Sequence, residues 1–367
     1  MVLGGKAWIN FAWQALRHNG EGRPTAQMSK YSKSPLEFAA LRSVTLKERG
    51  GKVKAADFAS AYQKGSGIAG WLNSLPRILA GESFRAVVEA LDAARARHRA
   101  LIWGLGGHVI KCGLAPVLID LMQRGYVTLF ALNGAAAVHD FEIALAGATS
   151  EDVEATLPDG RFGVADETGC EMNCAIAAGE RDGLGMGEAL GRRLDTLLAG
   201  HAVLAGQAVS PAPQPEAGAG SSHAEASLVL QAYRHGTPVT VHVAVGTDTP
   251  HVHPSADGAA IGSTTHRDFR LFCAYATDLD DGGVYLNCGS AVVLPEVFLK
   301  AISAVRAMGS PLTRFTTVNL DFLEHYRPRA NVVERPHARS GGAGYSIRGH
   351  HELMLPLLAA ALIEKEP

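Results

Sequence analysis

The sequence predicts an α/β fold: a doubly wound, mostly parallel sheet preceded by an N-terminal helical arm. Three observations predict it. Short apolar runs alternate with stretches of helical spacing along most of the chain. Small or hydrogen-bonding residues follow one apolar run after another, where an open parallel sheet places its ligands. Of the 367 residues 47% are hydrophobic and 19% charged, enough apolar material for one large domain.

The elements follow in order. Residues 1–82 alternate polar, Gly-containing pieces with short apolar segments and are expected to pack as an arm on the body or on a partner subunit. Residues 83–367 form the expected main domain. Phe84–Arg97 has apolar residues at helical spacing, and Ala100–Trp103 is a short strand that ends in Gly104-Leu105-Gly106-Gly107-His108. Leu114–Met122 is an apolar helix stopped at Arg124-Gly125. A second strand, Val127–Leu132, leads through Asn133-Gly134 into a helix from about Ala135 to Ala146. Thr149–Thr168 is a polar excursion, and Gly183–Gly191 opens a helix reaching about His201. Ser210–Ser222 is a Pro/Ala/Gly loop. Ala226–His235 reads as helix, Val239–Val245 as strand, Val284–Asn287 and Phe315–Asn319 as strands around helix Pro295–Met308, and Leu353–Glu364 as a closing helix. Such alternation is the mark of βαβ units in a parallel sheet.

Composition excludes several classes. With 34 basic and 36 acidic residues the formal net charge is −2, so nucleic acid is not held by bulk charge. The longest apolar stretch, Leu353–Ile363, is shorter than the ~20 residues that cross a bilayer. The N-terminus lacks the blocks of a secretion signal, and five cysteines make no disulfide framework. A cytoplasmic protein with reduced thiols and a small-molecule substrate is expected.

Candidate chemistry sits after the strands. Gly106, Gly107 and His108 follow the first, where bare backbone lets a pyrophosphate approach. Asn133 and Gly134 follow the second, with His139, Asp140 and Glu142 in the helix beyond; Asp140 there also fits a helix-start role. His251 and His253, two apart in extended chain, share a face and with Asp257 offer a metal reading, beside the alternative of a polar ligand loop. Gly258 follows Asp257. Asn287, Cys288, Gly289 and Ser290 end one strand and Asn319 the next, while His350, His351 and Glu352 stand at the start of the closing helix. Cys170 and Cys174 lack the second pair that a structural zinc needs.

These loops resemble the deoxyhypusine synthase family, a Rossmann-like NAD-binding fold usually assembled as a homotetramer. The likeness runs from about Ala100 to the C-terminus, over GGHVIKCG, NGAAAVHDFE, HPSADG, Asn287-Cys288-Gly289, Asn319 and Gly349-His350-His351-Glu352. The resemblance implies NAD as cofactor, touched by Gly106, Gly107, His108, Asn133, Gly134, Asp140, Asp257, Gly258, Asn287, Gly289, Ser290, Asn319 and His350. It also implies a homo-oligomer. One departure excludes hypusine chemistry. The stretch matching the family's catalytic Lys reads Gly344-Tyr345-Ser346-Ile347-Arg348, and an arginine cannot form the imine. The HDFE segment also resembles, over a short length, an element of ornithine cyclodeaminase-type domains.

The leading expectation is an NAD-dependent transferase or oxidoreductase acting on a small amino or carboxylate metabolite. His139 and His253 are the candidate acid/base residues, because an imidazole titrates near working pH. Glu142, His251, Arg348, His351 and Glu352 are candidate substrate contacts, with Arg335 and Arg339 as further carboxylate clamps. No residue is assigned to a metal in this reading. The alternatives are a metal-dependent hydrolase or lyase using His251 and His253, and a non-catalytic nucleotide-binding scaffold.

Overall fold

A computed structural model describes residues 30–204 and 223–366, with the side chains of 200–204 left aside. Residues 1–29 of the expected arm and the loop Ser210–Ser222 therefore fall outside the described residues. The chain divides into two compact units between Lys52 and Val53. In the first unit, a short turn at Phe38–Ala40 precedes one helical turn at Leu46–Arg49. The Thr45 hydroxyl and Glu48 carboxylate there each accept from the other's backbone N–H.

The second unit carries the sheet. Its strands are β1 (Leu101–Leu105), β2 (Leu129–Asn133), β3 (Val239–His242), β4 (Val284–Cys288), β5 (Thr316–Asp321) and β6 (Ala343–Arg348). All pairings are parallel, in the order β3-β2-β1-β4-β5-β6. This is a doubly wound, Rossmann-like order: the chain moves outward from β1 on one side, then returns beside β1 and moves outward on the other. The helices are α1 (Gly67–Ser74), α2 (Leu79–Ala96), α3 (Gly107–Lys111), α4 (Ala115–Gln123), α5 (Gly134–Ala146), α6 (Asp166–Asp182), α7 (Met186–Leu204), α8 (Leu228–His235), α9 (Gly258–Ala276), α10 (Val293–Ala307) and α11 (His351–Ile363). Among the described residues no helix is long and apolar enough to cross a membrane.

Strand periodicity separates the two faces. Leu101, Trp103, Leu105, Phe130, Leu132, Leu286 and Val318 pack into one core with residues of α2, α4, α5 and α11. Ile102, Leu129, Ala131 and Tyr285 point the other way, against Phe272 of α9 and Phe298 of α10. Tyr285 and Phe298 stack with ring centroids 3.9 Å apart.

Helix α9 and strand β6 are among the elements with no counterpart in the sequence reading. Helix α9 is diluted by Gly258, Gly262, Ser263, Thr264 and Thr265, which blur its apolar stripe; Asp257 starts it by accepting from the N–H groups of Ala259 and Ala260 (2.8 and 3.4 Å). Strand β6 is an edge strand in which only Ile347 is buried, so no apolar run marks it. Strand β3 ends at His242, earlier than the expected Val245. The polar excursion is shorter than read, because α6 begins at Asp166 and also takes in Asn173–Ala178.

One buried carboxylate fastens the β3 edge. Asp268 of α9 is 1% exposed and accepts from the N–H groups of Val241 (2.8 Å) and Gly187 (2.9 Å), tying strand, α7 and α9 together. Its other oxygen has no partner among the described residues, and burial raises the carboxyl to about 7. The raised value means that this group's contribution to stability falls as pH rises through about 7. Asp268→Asn cannot titrate, so its stability relative to the native chain should improve between pH 5 and pH 8 in urea denaturation. Asp268→Leu should lose ~1–3 kcal/mol for each orphaned donor at either pH.

Candidate functional site

The switch point of the sheet lies between β1 and β4, and glycines set its geometry. The Gly106 N–H donates to Cys288 O at 2.8 Å, and a Cβ on Gly106 would lie 2.1 Å from Gly289 O. Gly289 itself has φ +69° and sits against the His351 ring. Below them, Asn287 donates to Ser290 O (2.9 Å) and to Asn319 Oδ1 (2.8 Å), while Ser290 Oγ accepts from Leu294 N (3.2 Å). Asn287, Ser290 and Asn319 are all buried, and their hydrogen bonds hold the ends of β4 and β5 together beneath the switch point.

Gly107 joins this crevice to a cleft. A Cβ there would lie 3.0 Å from Ala135 Cβ and 3.3 Å from His139 Cδ2, so the start of α3 rests on α5 beside the imidazole. The adjoining cavity measures about 260 Å³ and is lined by Lys111, His139, Glu142, Glu151, Phe162 and Asp248 among others. A hydrogen-bonded chain runs along its wall. His139 Nδ1 lies 2.7 Å from Thr149 Oγ1, the Thr149 hydroxyl donates to Glu142, and Thr168 Oγ1 donates to Glu142 Oε1 at 3.3 Å. Because the Thr149 proton goes to the carboxylate, Thr149 must accept from His139 Nδ1–H. That fixes the tautomer and leaves the lone pair on Nε2. Burial, with Lys111 nearby, lowers His139 to about 4, so the ring is neutral at neutral pH.

Asp248 was not legible as a site residue, since an Asp before Thr-Pro reads as an ordinary turn. Its carboxylate lies where a Gly134 Cβ would be, at the first residue of α5, and Oδ2 is buried with no partner among the described residues. Burial raises this carboxyl. Lys111, Thr149, Glu151 and Thr168 were equally absent from the sequence reading; only the fold brings them to His139.

A third group gathers at the other rim. His108, Phe322, His350 and His351 come together, with the His108 and His351 rings 5.7 Å apart and the Phe322 and His350 rings stacked at 6.0 Å. His351 is 1% exposed and its Nε2 donates to Leu320 O (3.2 Å). Cys112 Sγ lies 3.9 Å from Glu352 Oε2, and burial beside that carboxylate raises the thiol. Arg348 is exposed and paired with Glu324, outside the cavity wall.

Several expectations require correction. Asp140 is fully buried and its carboxylate is consumed by Ser227 Oγ (2.7 Å), Leu228 N (2.6 Å) and Val229 N (2.9 Å), so it anchors the start of α8 and is closed to a cofactor. Burial holds it at about 6 despite those donors. His251, His253 and Asp257 do not converge as metal ligands. His251 Nδ1 accepts from Gly246 N (3.3 Å). The His253 ring abuts Gly169 between Ser255 Oγ (2.7 Å) and Asp166 Oδ1 (3.3 Å), and Asp257 caps α9. Neither His251 nor His253 borders the His139 cavity.

No known family's sequence profile and no curated protein matches the chain. Among solved structures, a conserved LOR/SDH protein from Methanococcus maripaludis matches at 13% identity and TM-score 0.45, over 78% of this chain and 70% of that one. AgrE in a ternary complex with ornithine and NAD+ matches at 17% identity and TM-score 0.42, over 78% of this chain and 33% of that one. A deoxyhypusine synthase-type protein from Entamoeba histolytica matches at 10% identity and TM-score 0.44, over 84% of this chain and 96% of that one. The chain therefore spans about a third of the length of AgrE.

The reassignment of Asp140 is testable. Asp140→Ala should lower stability by about 3 kcal/mol in urea denaturation, because two buried N–H groups and a hydroxyl lose a charged acceptor. Asp140→Asn should lose less. A stability unchanged in both would restore a ligand role for this carboxylate.

Proposed function

We propose that the chain is an NAD-dependent enzyme that acts on a small metabolite bearing an amino or carboxylate group. The observation that carries this reading is the contact of Gly107 with His139, which sets a glycine-lined switch point directly beside a neutral imidazole in a cavity. The residues present fit the cofactor. Gly258 opens α9 with no atom within 4 Å of where a Cβ would stand, and Gly106, Gly107 and Gly289, packed closely on their neighbours, bring the turns together at the switch point. Gly106–His108, Asn133–Gly134, Gly258, Gly289 and His350 would hold the dinucleotide. When bound, it supplies a hydride acceptor or donor.

The rest of the chemistry belongs to the chain. A cavity of about 260 Å³ suits an amino-acid-sized molecule. Asp248 on the cavity wall, whose Oδ2 has no partner among the described residues, is the proposed counter-charge to an ammonium, and Lys111 offers one to a carboxylate. His139 Nε2 takes a proton from the substrate's nitrogen or oxygen as the adjoining carbon is oxidised, while Thr149 and Glu142 hold the ring. Imine chemistry of the hypusine type has no support, since the matching stretch forms edge strand β6 and ends in exposed Arg348.

Calorimetric titration with NAD tests the first half: saturable binding is expected, and its absence at millimolar concentration overturns the proposal. His139→Gln should leave that affinity intact and lower kcat by ~10²–10⁴. The native enzyme should keep its rate as pH falls toward 5 and lose it only around pH 4, because neutral His139 is the active form and its value is lowered to about 4. A fall centred near 6.5 would assign the base elsewhere.

A further inference from the structure

We infer that His108, Cys112 and Glu352 form a binding site for a soft or borderline divalent cation, zinc above all, at the rim where the loop after β1 meets the closing helix. Each side chain offers one donor atom, and the three donors lie within 4.8 Å of one another. Among the described residues this is the group of His, Cys and acidic side chains that meets so closely.

The chain builds the site in two pieces. The Cys112 N–H donates to His108 O at 3.0 Å, so the turn of α3 continues through Cys112 and places positions 108 and 112 on one helical face. Glu352 comes from the first turn of α11, at the far end of the sequence. Tetrahedral zinc holds nitrogen, sulfur and oxygen ligands at 2.0–2.3 Å, which puts neighbouring ligands about 3.5 Å apart. Closing from within 4.8 Å needs only side-chain rotation, and His108 and Glu352 are exposed and able to make it.

The donor set selects the ion. A thiolate and an imidazole beside one carboxylate suit zinc or cobalt and are poor partners for calcium or magnesium, which take oxygen ligands. Three protein ligands with two exposed members leave a coordination position open to solvent. Support for the ligands is also in place: His350 Nδ1 lies 3.7 Å from Glu352 Oε1, and the Phe322 ring packs against both His108 (5.8 Å) and His350 (6.0 Å). A bound ion would clamp the turn after β1 to the closing helix. The site shares His108 with the proposed dinucleotide contacts, so ion binding is tested without NAD, and its failure leaves that proposal standing.

Cobalt(II) serves as the probe, added to metal-free full-length protein without NAD. Expected are visible ligand-field bands and a near-ultraviolet thiolate-to-cobalt charge-transfer band, saturating at one ion per chain and reversed by zinc. Cys112→Ser should abolish the near-ultraviolet band. Glu352→Gln should weaken binding at least tenfold, since losing even an outer-sphere partner costs ~10–100-fold. The double variant Cys170→Ser, Cys174→Ser removes the other close thiol pair and should keep the band. Circular dichroism checks that each variant folds, and His108→Ala, which should bind at least ~10-fold more weakly, substitutes if Cys112→Ser does not. The inference is overturned if no charge-transfer band forms, if the band survives Cys112→Ser, or if it is lost with Cys170 and Cys174.

Discussion

The approach of the main chain at Gly106 to the main chain at Gly289 governs the functional edge of this protein. With a hydrogen bond of 2.8 Å from Gly106 to Cys288 and no room for a Cβ, the turns after β1 and β4 are held against each other. Any side chain at position 106 would wedge them apart, and inserting even one carbon into such a contact typically costs ~1–3 kcal/mol. The amide lock between Asn287 and Asn319 repeats the constraint one strand further on. Once these turns are fixed, α3 has one place to start, and Gly107 lets it settle on α5 beside His139. The crevice, the cavity and the histidine-rich rim all inherit their positions from this contact.

Burial then divides the titratable groups by task. Asp140 and Asp268 are carboxylates with backbone donors to satisfy, and each holds an element in place: α8 in one case, the β3 edge in the other. Their raised values measure the desolvation that the donors only partly offset. His139 carries the opposite sign. Its neutral ring is stabilised by burial, and its orientation follows from a threonine and a glutamate that share one proton between them. Asp248 stands apart by position: one of its oxygens, like one of Asp268's, has no partner among the described residues, but it lies against the start of α5 on the cavity wall. An unpaired acceptor against the start of a helix is costly to maintain without a ligand to meet it.

What the sequence disclosed follows from which signals are local. β1, β2 and β4 are short, mostly apolar runs that contain or lead into glycine or asparagine, so they could be placed within a few residues, and the parallel doubly wound sheet followed from their alternation with helices. Edge strand β6 and the Thr- and Gly-rich α9 carried no such mark, because one is half solvated and the other buries a narrow stripe. The site was legible in its glycines and in His139, which stand next to strand ends. It was misread at Asp140, where the sequence shows an acidic residue near a helix start but hides the second helix that it serves. Lys111 and Asp248 were invisible because their relation to His139 is purely spatial.

The strand order has a consequence for how the protein comes into being. β1, β2 and β3 occupy one half of the sheet and β4, β5 and β6 the other, so the halves are contiguous in sequence while the crevice between them is not. A nascent chain that has emerged only as far as β3 can already pair its first three strands, yet it leaves one flank of β1 bare, with backbone donors and apolar side chains exposed to other chains. Closure awaits the arrival of β4, a pairing between distant segments that is intrinsically slow. The switch point between β1 and β4 is thus assembled only after the first three strands have paired, and chaperone demand during synthesis should concentrate in the interval before β4 is released from the ribosome.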